Sequence, residues 1–152
     1  MSVRLIFVRH GVSSFNEKGL IQGRTDDSYL TEKGYAQASK SGEALSNINF
    51  DNIYSSPLIR AAETAKTIEK NLKGEHNIIY DKNLLEVDLS SWSGLTINEV
   101  KKKYPENYFV WKNNPENLKL ENNDNLSYQP IKELYYQADQ FIRNILKIYL
   151  EK

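Results

Sequence analysis

Short apolar runs alternate with helical patterns over the first eighty residues. The runs cover Val3 to Val8, 51–55 and 77–80, and each has the length of one strand. Between them, apolar residues recur every three or four positions over 32–46 and 57–72, as on one face of a helix. This order predicts a parallel sheet in an α/β sandwich, with its first strand covered by helices on both faces.

Helix start signals agree with this order of elements. Thr31 is placed to cap the first of these helices. Ser56 and Pro57 have the order of a cap and a first helical residue, which places the start of the second helix at 57. Thr96 and Glu99 have the spacing of a capping box, so a further helix is expected to begin there.

Strand signals are not evident beyond residue 84. The capping box predicts a helix that ends near residue 104, and a second short helix is expected over 105–112. Residues 113–130 contain many asparagines and few apolar side chains, which predicts a mobile surface loop. A strongly amphipathic helix then follows over 131–149.

Composition limits the class of protein. A chain of 152 residues with 39% apolar and 26% charged residues fits one globular domain, 1–152. Its 20 basic residues balance its 20 acidic residues, so no overall field favours nucleic acid or an anionic membrane. The first residues lack a signal-peptide layout and no apolar run approaches a membrane span, so a cytoplasmic location is expected. Without cysteine, disulfides and thiolate metal sites are excluded.

The candidate chemistry lies where strands end. Arg9, His10 and Gly11 follow the first strand, at the sheet edge where α/β proteins bind ligands. Arg60 lies in the first turn of the helix after the second strand, where unpaired N–H groups and the helix dipole favour an anion. Glu86 follows the third strand. The set predicts a phosphate site in which the imidazole attacks phosphorus and the carboxyl group protonates the leaving oxygen.

Each of these residues, taken alone, also fits a structural role. An arginine–histidine pair at a strand end is often structural, and Trp92 and Trp111 are interpreted as packing residues. The only other histidine, His76, precedes the third strand. Four strand residues at about 3.3 Å each place it roughly 13 Å from the catalytic edge, so it is interpreted as a loop residue.

Several segments match one known family in order and spacing over about residues 3–100. They are Leu5 to Gly11 with Asn16, Gln22 to Arg24, Leu30 to Gly34, Ile53 to Ala65, Leu85-Glu86 and Trp92 to Thr96. With them the chain resembles the histidine phosphatase superfamily, in its phosphoglycerate-mutase-like branch. The resemblance implies a three-layer α/β/α sandwich with a mostly parallel sheet, and a reaction that uses no metal and no cofactor.

The resemblance also implies roles for individual residues. His10 is the residue phosphorylated, Arg9 and Arg60 are phosphate ligands, and Glu86 is the proton donor. By the same resemblance, Asn16 and Gly23 are expected to lie near the substrate. With Gln22, an amide donor on the same loop after the first strand, the predicted substrate-binding residues are Arg9, Asn16, Gln22, Gly23 and Arg60.

One departure from the family pattern is large. The family has a second active-site histidine, on a strand that follows the helix over 131–149, and these 152 residues contain no such strand. The fold is therefore expected to be incomplete at its C-terminus. Either the chain is a fragment of a longer protein, which is the favoured interpretation, or it is a natural short form.

The favoured function is a phosphatase that hydrolyses a small phosphorylated metabolite through a phosphohistidine. A phosphoglycerate mutase-type phosphoryl transfer is the first alternative, but mutases of this resemblance carry a long basic insertion, and Lys119 is the only basic residue of 113–130. An inactive phosphate-binding or regulatory domain is the second. The uncovered sheet edge that the missing strand would leave makes a homodimer a further expectation.

Overall fold

The computed structural model describes residues 2–122 and 124–150. Its helices are α1 (Ser14–Lys18), α2 (Glu32–Leu45), α3 (Ile59–Glu69), α4 (Ile97–Lys103), α5 (Pro105–Asn113) and α6 (Pro130–Leu150). Its strands are β1 (Ile53–Ser55), β2 (Ile78–Tyr80), β3 (Leu120–Glu121) and β4 (Ser127–Tyr128). Short 3₁₀ helices cover Lys82–Leu84, Ser90–Trp92 and Pro115–Asn117.

Strands β1 and β2 form the parallel pair that the sequence predicts. Ile53 is in register with Ile78 and Ser55 with Tyr80, and α3 makes the crossover between the two strands. The fold is α/β, and both strands run towards the segments that carry the candidate chemistry.

The first apolar run does not form the covered strand that was predicted. Among the described residues, no backbone hydrogen bond joins 2–10 to the rest of the fold. The side chains are open to solvent: Leu5 is 40% exposed and Phe7 is 72% exposed. A cavity of about 440 Å³ separates this segment from β1, because residues 4–10 and 52–56 line its two sides. Because no strand of the described residues lies beside it, the segment makes no ladder.

Local capping predictions are confirmed at two helices and wrong at a third. The Thr31 hydroxyl accepts the Gly34 N–H at 3.2 Å, and Thr96 and Glu99 form the complete capping box. Helix α3 begins at Ile59 rather than at 57. Its first N–H donates to the Asp26 carboxylate at 2.8 Å, a partner that lies far away in sequence.

Residues 113–130 are not the mobile surface loop that was predicted. This segment forms a 3₁₀ turn and the antiparallel β3–β4 hairpin, and Leu118 is fully buried at 0% exposure. The buried cluster that it completes contains Leu89, Trp92, Val100, Leu118 and Leu120. A few apolar residues among many asparagines are sufficient to fix this segment, because Leu118 and Leu120 pack into a cluster of aromatic side chains.

Aromatic packing accounts for both tryptophans, as expected. The rings of Trp92 and Trp111 meet edge to face with their centroids 5.3 Å apart. Tyr104 also contacts Trp92, at 6.5 Å between centroids. Ile21 and Val87, which neighbour Gln22 and Glu86 in sequence, pack against the same cluster.

Helix α6 lies against β1. The Phe141 ring packs edge to face on Tyr54 with 5.6 Å between the centroids, and Tyr149 contacts Asn52 just before the strand. Since Gln137 contacts Lys82 just after β2 whereas Tyr149 contacts Asn52 just before β1, α6 runs from the C-terminal ends of these strands to their N-terminal ends. None of the helices in the described part of the chain has the length and apolar character to cross a bilayer.

Small residues let helix α2 approach its neighbours closely. Gly34, Ala38 and Gly42 share one face of the helix and are buried. A Cβ on Gly34 would lie 2.2 Å from the Val12 carbonyl oxygen, and a Cβ on Gly11 would lie 2.3 Å from the Gly34 carbonyl oxygen. The helix is therefore pressed against the residues that follow His10.

We expect Gly34→Ala to destabilise the protein although alanine favours helices. The added Cβ must displace backbone, so the free energy of unfolding should fall by about 1–3 kcal/mol. The matched control is Lys33→Ala, at an exposed position of the same helix turn, which should change it by less than about 0.5 kcal/mol. Urea unfolding followed by tryptophan fluorescence measures both, and equal midpoints for the two variants would contradict the close contact.

Candidate active site

The His10 imidazole is held in one tautomer. Its Nδ1 lies 2.7 Å from the Gly11 carbonyl oxygen. A carbonyl oxygen only accepts, so Nδ1 carries the proton and donates it to this bond. In the neutral ring the lone pair is then on Nε2, which is the nitrogen available for attack.

The residues after His10 are fixed by hydrogen bonds to two helices. The Gly11 N–H donates to the Thr64 hydroxyl at 3.1 Å, on α3, and the Val12 N–H donates to the Gln37 side-chain oxygen at 2.9 Å, on α2. The Val12 carbonyl accepts both the N–H and the hydroxyl of Thr31 at 3.0 Å. His10 is therefore positioned from its C-terminal side, by helix contacts rather than by a strand ladder.

Arg60 is a buried cation without a carboxylate partner in the described part of the chain. It is 1% exposed, and it donates from Nη1 to the Thr25 carbonyl at 2.8 Å and from Nη2 to the Gly23 carbonyl at 2.7 Å. Burial lowers the pKa of its guanidinium, opposed by the charges of Glu86 and Asp26, yet the group stays protonated. A buried charge without an ion-pair partner favours the binding of an anion.

Arg9, His10, Arg60 and Glu86 all line the cavity between residues 4–10 and β1. Arg9 and Glu86 are exposed, His10 is half-buried and Arg60 is buried. The four catalytic candidates thus lie around one hollow, and the sequence placed all of them at the same sheet edge.

Burial is also the main influence on the imidazole. It lowers the pKa of His10 below 6.5, against the Gly11 hydrogen bond, which raises it. Arg60 and Arg9 lower this pKa further, and the Glu86 carboxylate opposes them. The neutral form is therefore favoured at pH 7, as nucleophilic attack requires.

The start of helix α3 differs from the anion site that the sequence suggested. Its first N–H group is already paired with Asp26, and the N–H groups of Ala61 and Ala62 donate to the Leu58 carbonyl. An anion here is therefore held mainly by arginine side chains. Sequence reasoning missed Asp26, because nothing in the local pattern shows which distant helix a loop carboxylate caps.

Asn16 and Gly23, two of the predicted substrate-binding residues, do not line the cavity that the four catalytic candidates share. Asn16 lines a second hollow next to Arg9 and His10, and its side-chain oxygen accepts the Ser13 N–H at the start of α1. Gly23 has a positive φ of 52° and presents its carbonyl to Arg60. His76 lies away from both hollows, as expected, and its backbone N–H contacts Glu69.

Gln22 lies inside the loop rather than on the cavity wall. Its side-chain oxygen accepts the hydroxyls of Ser13 and Ser28 at 2.6 and 2.7 Å, and both serines are fully buried. Its backbone carbonyl accepts the Ser93 hydroxyl at 3.0 Å. These bonds give Gln22 a role in shaping the loop that carries Gly23.

The structure offers side chains for an anion rather than for a cation. Within residues 2–122 and 124–150, no three imidazole or carboxylate groups cluster in a way that could hold a metal ion. Two guanidinium groups and a neutral imidazole around one hollow suit the oxygens of a phosphate group.

Comparisons with known proteins agree with this geometry. The sequence profile of the histidine phosphatase superfamily, branch 1, matches residues 5–152. A probable 2-carboxy-D-arabinitol-1-phosphatase of Arabidopsis thaliana is 38% identical over 135 residues, which are 89% of this chain and 27% of that relative. Phosphoserine phosphatase 1 of Hydrogenobacter thermophilus is 35% identical over 147 residues, 95% of this chain and 65% of the relative.

A solved structure shows the same fold. Bacillus stearothermophilus YhfR superimposes with a TM-score of 0.82 at 26% identity, over 93% of this chain and 66% of that one. The chain thus spans about a quarter to two thirds of the length of these proteins. From the match over residues 5–152, the chain belongs to the histidine phosphatase superfamily, branch 1.

Proposed function

We propose that this chain carries the phosphoryl-accepting site of a phosphatase that hydrolyses small phosphomonoesters through a phosphohistidine. The observation that carries the proposal is the His10 tautomer, with Nδ1–H bound to the Gly11 carbonyl and Nε2 left for attack beside a buried arginine. The two phosphatase relatives support the reaction class. The role of Arg9 as a second phosphate ligand is part of the same proposal.

In the first step, Nε2 of His10 attacks phosphorus as the bond from phosphorus to the ester oxygen breaks. Arg60 retains its Nε–H and one N–H on each terminal nitrogen beyond those bound to Gly23 and Thr25. These donors stabilise charge on the phosphoryl oxygens. Glu86, in its protonated form, gives its proton to the leaving alkoxide, an effect typically worth about 10²–10⁴-fold in rate.

In the second step, water attacks the phosphohistidine. The Glu86 carboxylate, left by the first step, accepts a proton from this water as the phosphorus–nitrogen bond breaks. Phosphate leaves, and both His10 and the protonated Glu86 are restored. The cycle is balanced without a metal or any further reactant, and this chain's residues supply both proton transfers.

The active protein, we further propose, holds one more strand between residues 3–8 and β1, which completes a three-layer sandwich. Residues 3–8 and the outer edge of β1 both offer backbone groups to this gap. Apolar side chains from two helices line it: Ala61, Ala65 and Ile68 from α3, and Leu134 and Phe141 from α6. A strand buried on both faces is the occupant with the matching chemistry.

The first test is the fate of His10. We expect His10→Asn to abolish hydrolysis of p-nitrophenyl phosphate and to remove the acid-labile, base-stable label that a ³²P-phosphorylated substrate leaves on the protein. His76→Asn is the matched control and should keep both. Unchanged turnover in the His10 variant would disprove the nucleophile.

Two further outcomes identify the alternatives. Interconversion of phosphoglycerates primed by a bisphosphorylated compound would replace the phosphatase by a mutase. Phosphate or vanadate binding with no turnover and no label would instead favour a binding domain.

The second test is the titration of His10. Because burial lowers its pKa, the imidazole should stay neutral to lower pH than an exposed histidine, and its NMR titration midpoint should lie below 6.5. The acid limb of kcat/KM should follow this midpoint, since protonation removes the nucleophile. The His10→Gln variant assigns the resonance. A midpoint above 6.5 would show that the carboxylate and the Gly11 bond outweigh burial.

The third test fills the gap by fusion. A short Gly-Ser linker and a valine- and threonine-rich strand are added after Lys152, and amide hydrogen exchange is measured over residues 4–9. Exchange should slow by about tenfold or more as a ladder forms. The control fusion carries proline at alternate positions of the strand, which removes the donors. Equal exchange in the two fusions would argue against a strand site.

A further inference from the structure

The turn formed by Gln22 to Thr25 lies between the phosphate ligand and the proton donor. It is closed by the Thr25 N–H, which bonds to the Gln22 carbonyl at 3.3 Å, and Gly23 supplies the positive φ that it needs. The carbonyls of Gly23 and Thr25 both bind Arg60. The residue between them, Arg24, extends its own side chain to the segment that carries Glu86.

The Arg24 guanidinium joins three separate parts of the chain. Its Nε–H donates to the Glu86 carbonyl at 2.9 Å, and Nη2 donates to the Gln137 side-chain oxygen at 2.5 Å, on α6. Its Nη1 lies 3.5 Å from the Asp88 carboxylate. Gln137 in turn donates to the Lys82 carbonyl at 3.4 Å. The site loop, the acid's segment and helix α6 thus meet at one side chain, which is 29% exposed.

Glu86 has little other support. It lies between two 3₁₀ helices, outside any strand or α-helix, and its carboxylate makes no hydrogen bond to another described residue. The nearest backbone bonds are those from the N–H groups of Leu84 and Leu85 to the preceding turn. The bond from Arg24 is therefore the contact that ties the acid's own peptide unit to the loop bound by Arg60.

We propose that Arg24 is the positioning residue for Glu86, which it holds at a fixed place relative to the phosphate on Arg60. This inference rests on the proposed function. Proton donation requires the carboxyl group within hydrogen-bond reach of the leaving oxygen, and a displacement of about 1 Å can cost on the order of 10²-fold. Arg24 does not touch the substrate. It acts through the peptide unit of Glu86.

The leaving group separates positioning from general structural support. An alkyl phosphate needs a proton on its leaving oxygen, whereas p-nitrophenolate leaves without one. We expect Arg24→Gln to lower the ratio of kcat for phosphoserine to kcat for p-nitrophenyl phosphate by about tenfold or more. Inhibition by vanadate should remain within about threefold, because Arg60 binds backbone carbonyls of the turn that the substitution leaves in place.

Two variants serve as comparisons. Arg24→Lys keeps the charge but loses the forked donor, so its ratio should fall between those of the wild type and Arg24→Gln. Arg143→Gln removes another arginine, which pairs with Asp139 on the exposed side of α6, and it should leave the ratio unchanged. An equal loss on both substrates in Arg24→Gln, or a loss of vanadate inhibition, would overturn the positioning role.

A second readout does not depend on turnover. Amide hydrogen exchange at Leu84 and Leu85 should become about tenfold faster in Arg24→Gln, while exchange in α3 stays as in the wild type. If the wild type hydrolyses neither substrate, the proposed function fails, and the exchange result alone decides the positioning. Faster exchange confined to 84–87 then supports it, and unchanged exchange there overturns it.

Discussion

The buried guanidinium of Arg60 is the constraint on which the site depends. A cation removed from water is costly unless opposite charge or several acceptors surround it. Here two loop carbonyls, from Gly23 and Thr25, supply part of what water supplied, and no carboxylate within the described residues completes the pair. The loop is thereby shaped around the cation, whose charge favours an anion in the neighbouring cavity.

The His10 imidazole is influenced by the same charge. Because positive side chains face His10, protonation of its ring is disfavoured beyond the effect of burial. The Gly11 carbonyl then decides which nitrogen carries the remaining proton. One buried cation thus has two effects: its charge favours an anion in the cavity, and it disfavours protonation of the His10 ring.

The sequence predicted which residues belong to this site, but it did not predict most of the long-range contacts that arrange them. Thr31 and the Thr96 capping box were predictable because a cap and its N–H group lie within three residues of each other. Asp26 could not be predicted as the cap of α3, since its partner lies 33 residues away. The burial of Leu118 was missed for a related reason, as its neighbours in space come from other segments.

The strand predicted over residues 3–8 depended on a neighbouring strand with which to pair. Val3 to Val8 has the composition of a strand buried on both faces, but strand formation needs hydrogen bonds that composition does not supply. In the described part of the chain a cavity, not a strand, lies between this run and β1, so the apolar run stays exposed. The further strand proposed above would supply those hydrogen bonds from within this gap.

Among the described residues, the backbone is hydrogen-bonded to the rest of the fold after His10 but not before it, on the side that lines the gap. The residues after it are bonded to α2 and α3, whereas the residues before it make no backbone bonds in the part of the chain that the structure describes. Arg9 lies on the unanchored side and is exposed. A strand paired with residues 3–8 would order Arg9 without moving the imidazole. Completion of the sheet would therefore affect the position of Arg9 more than that of the His10 imidazole.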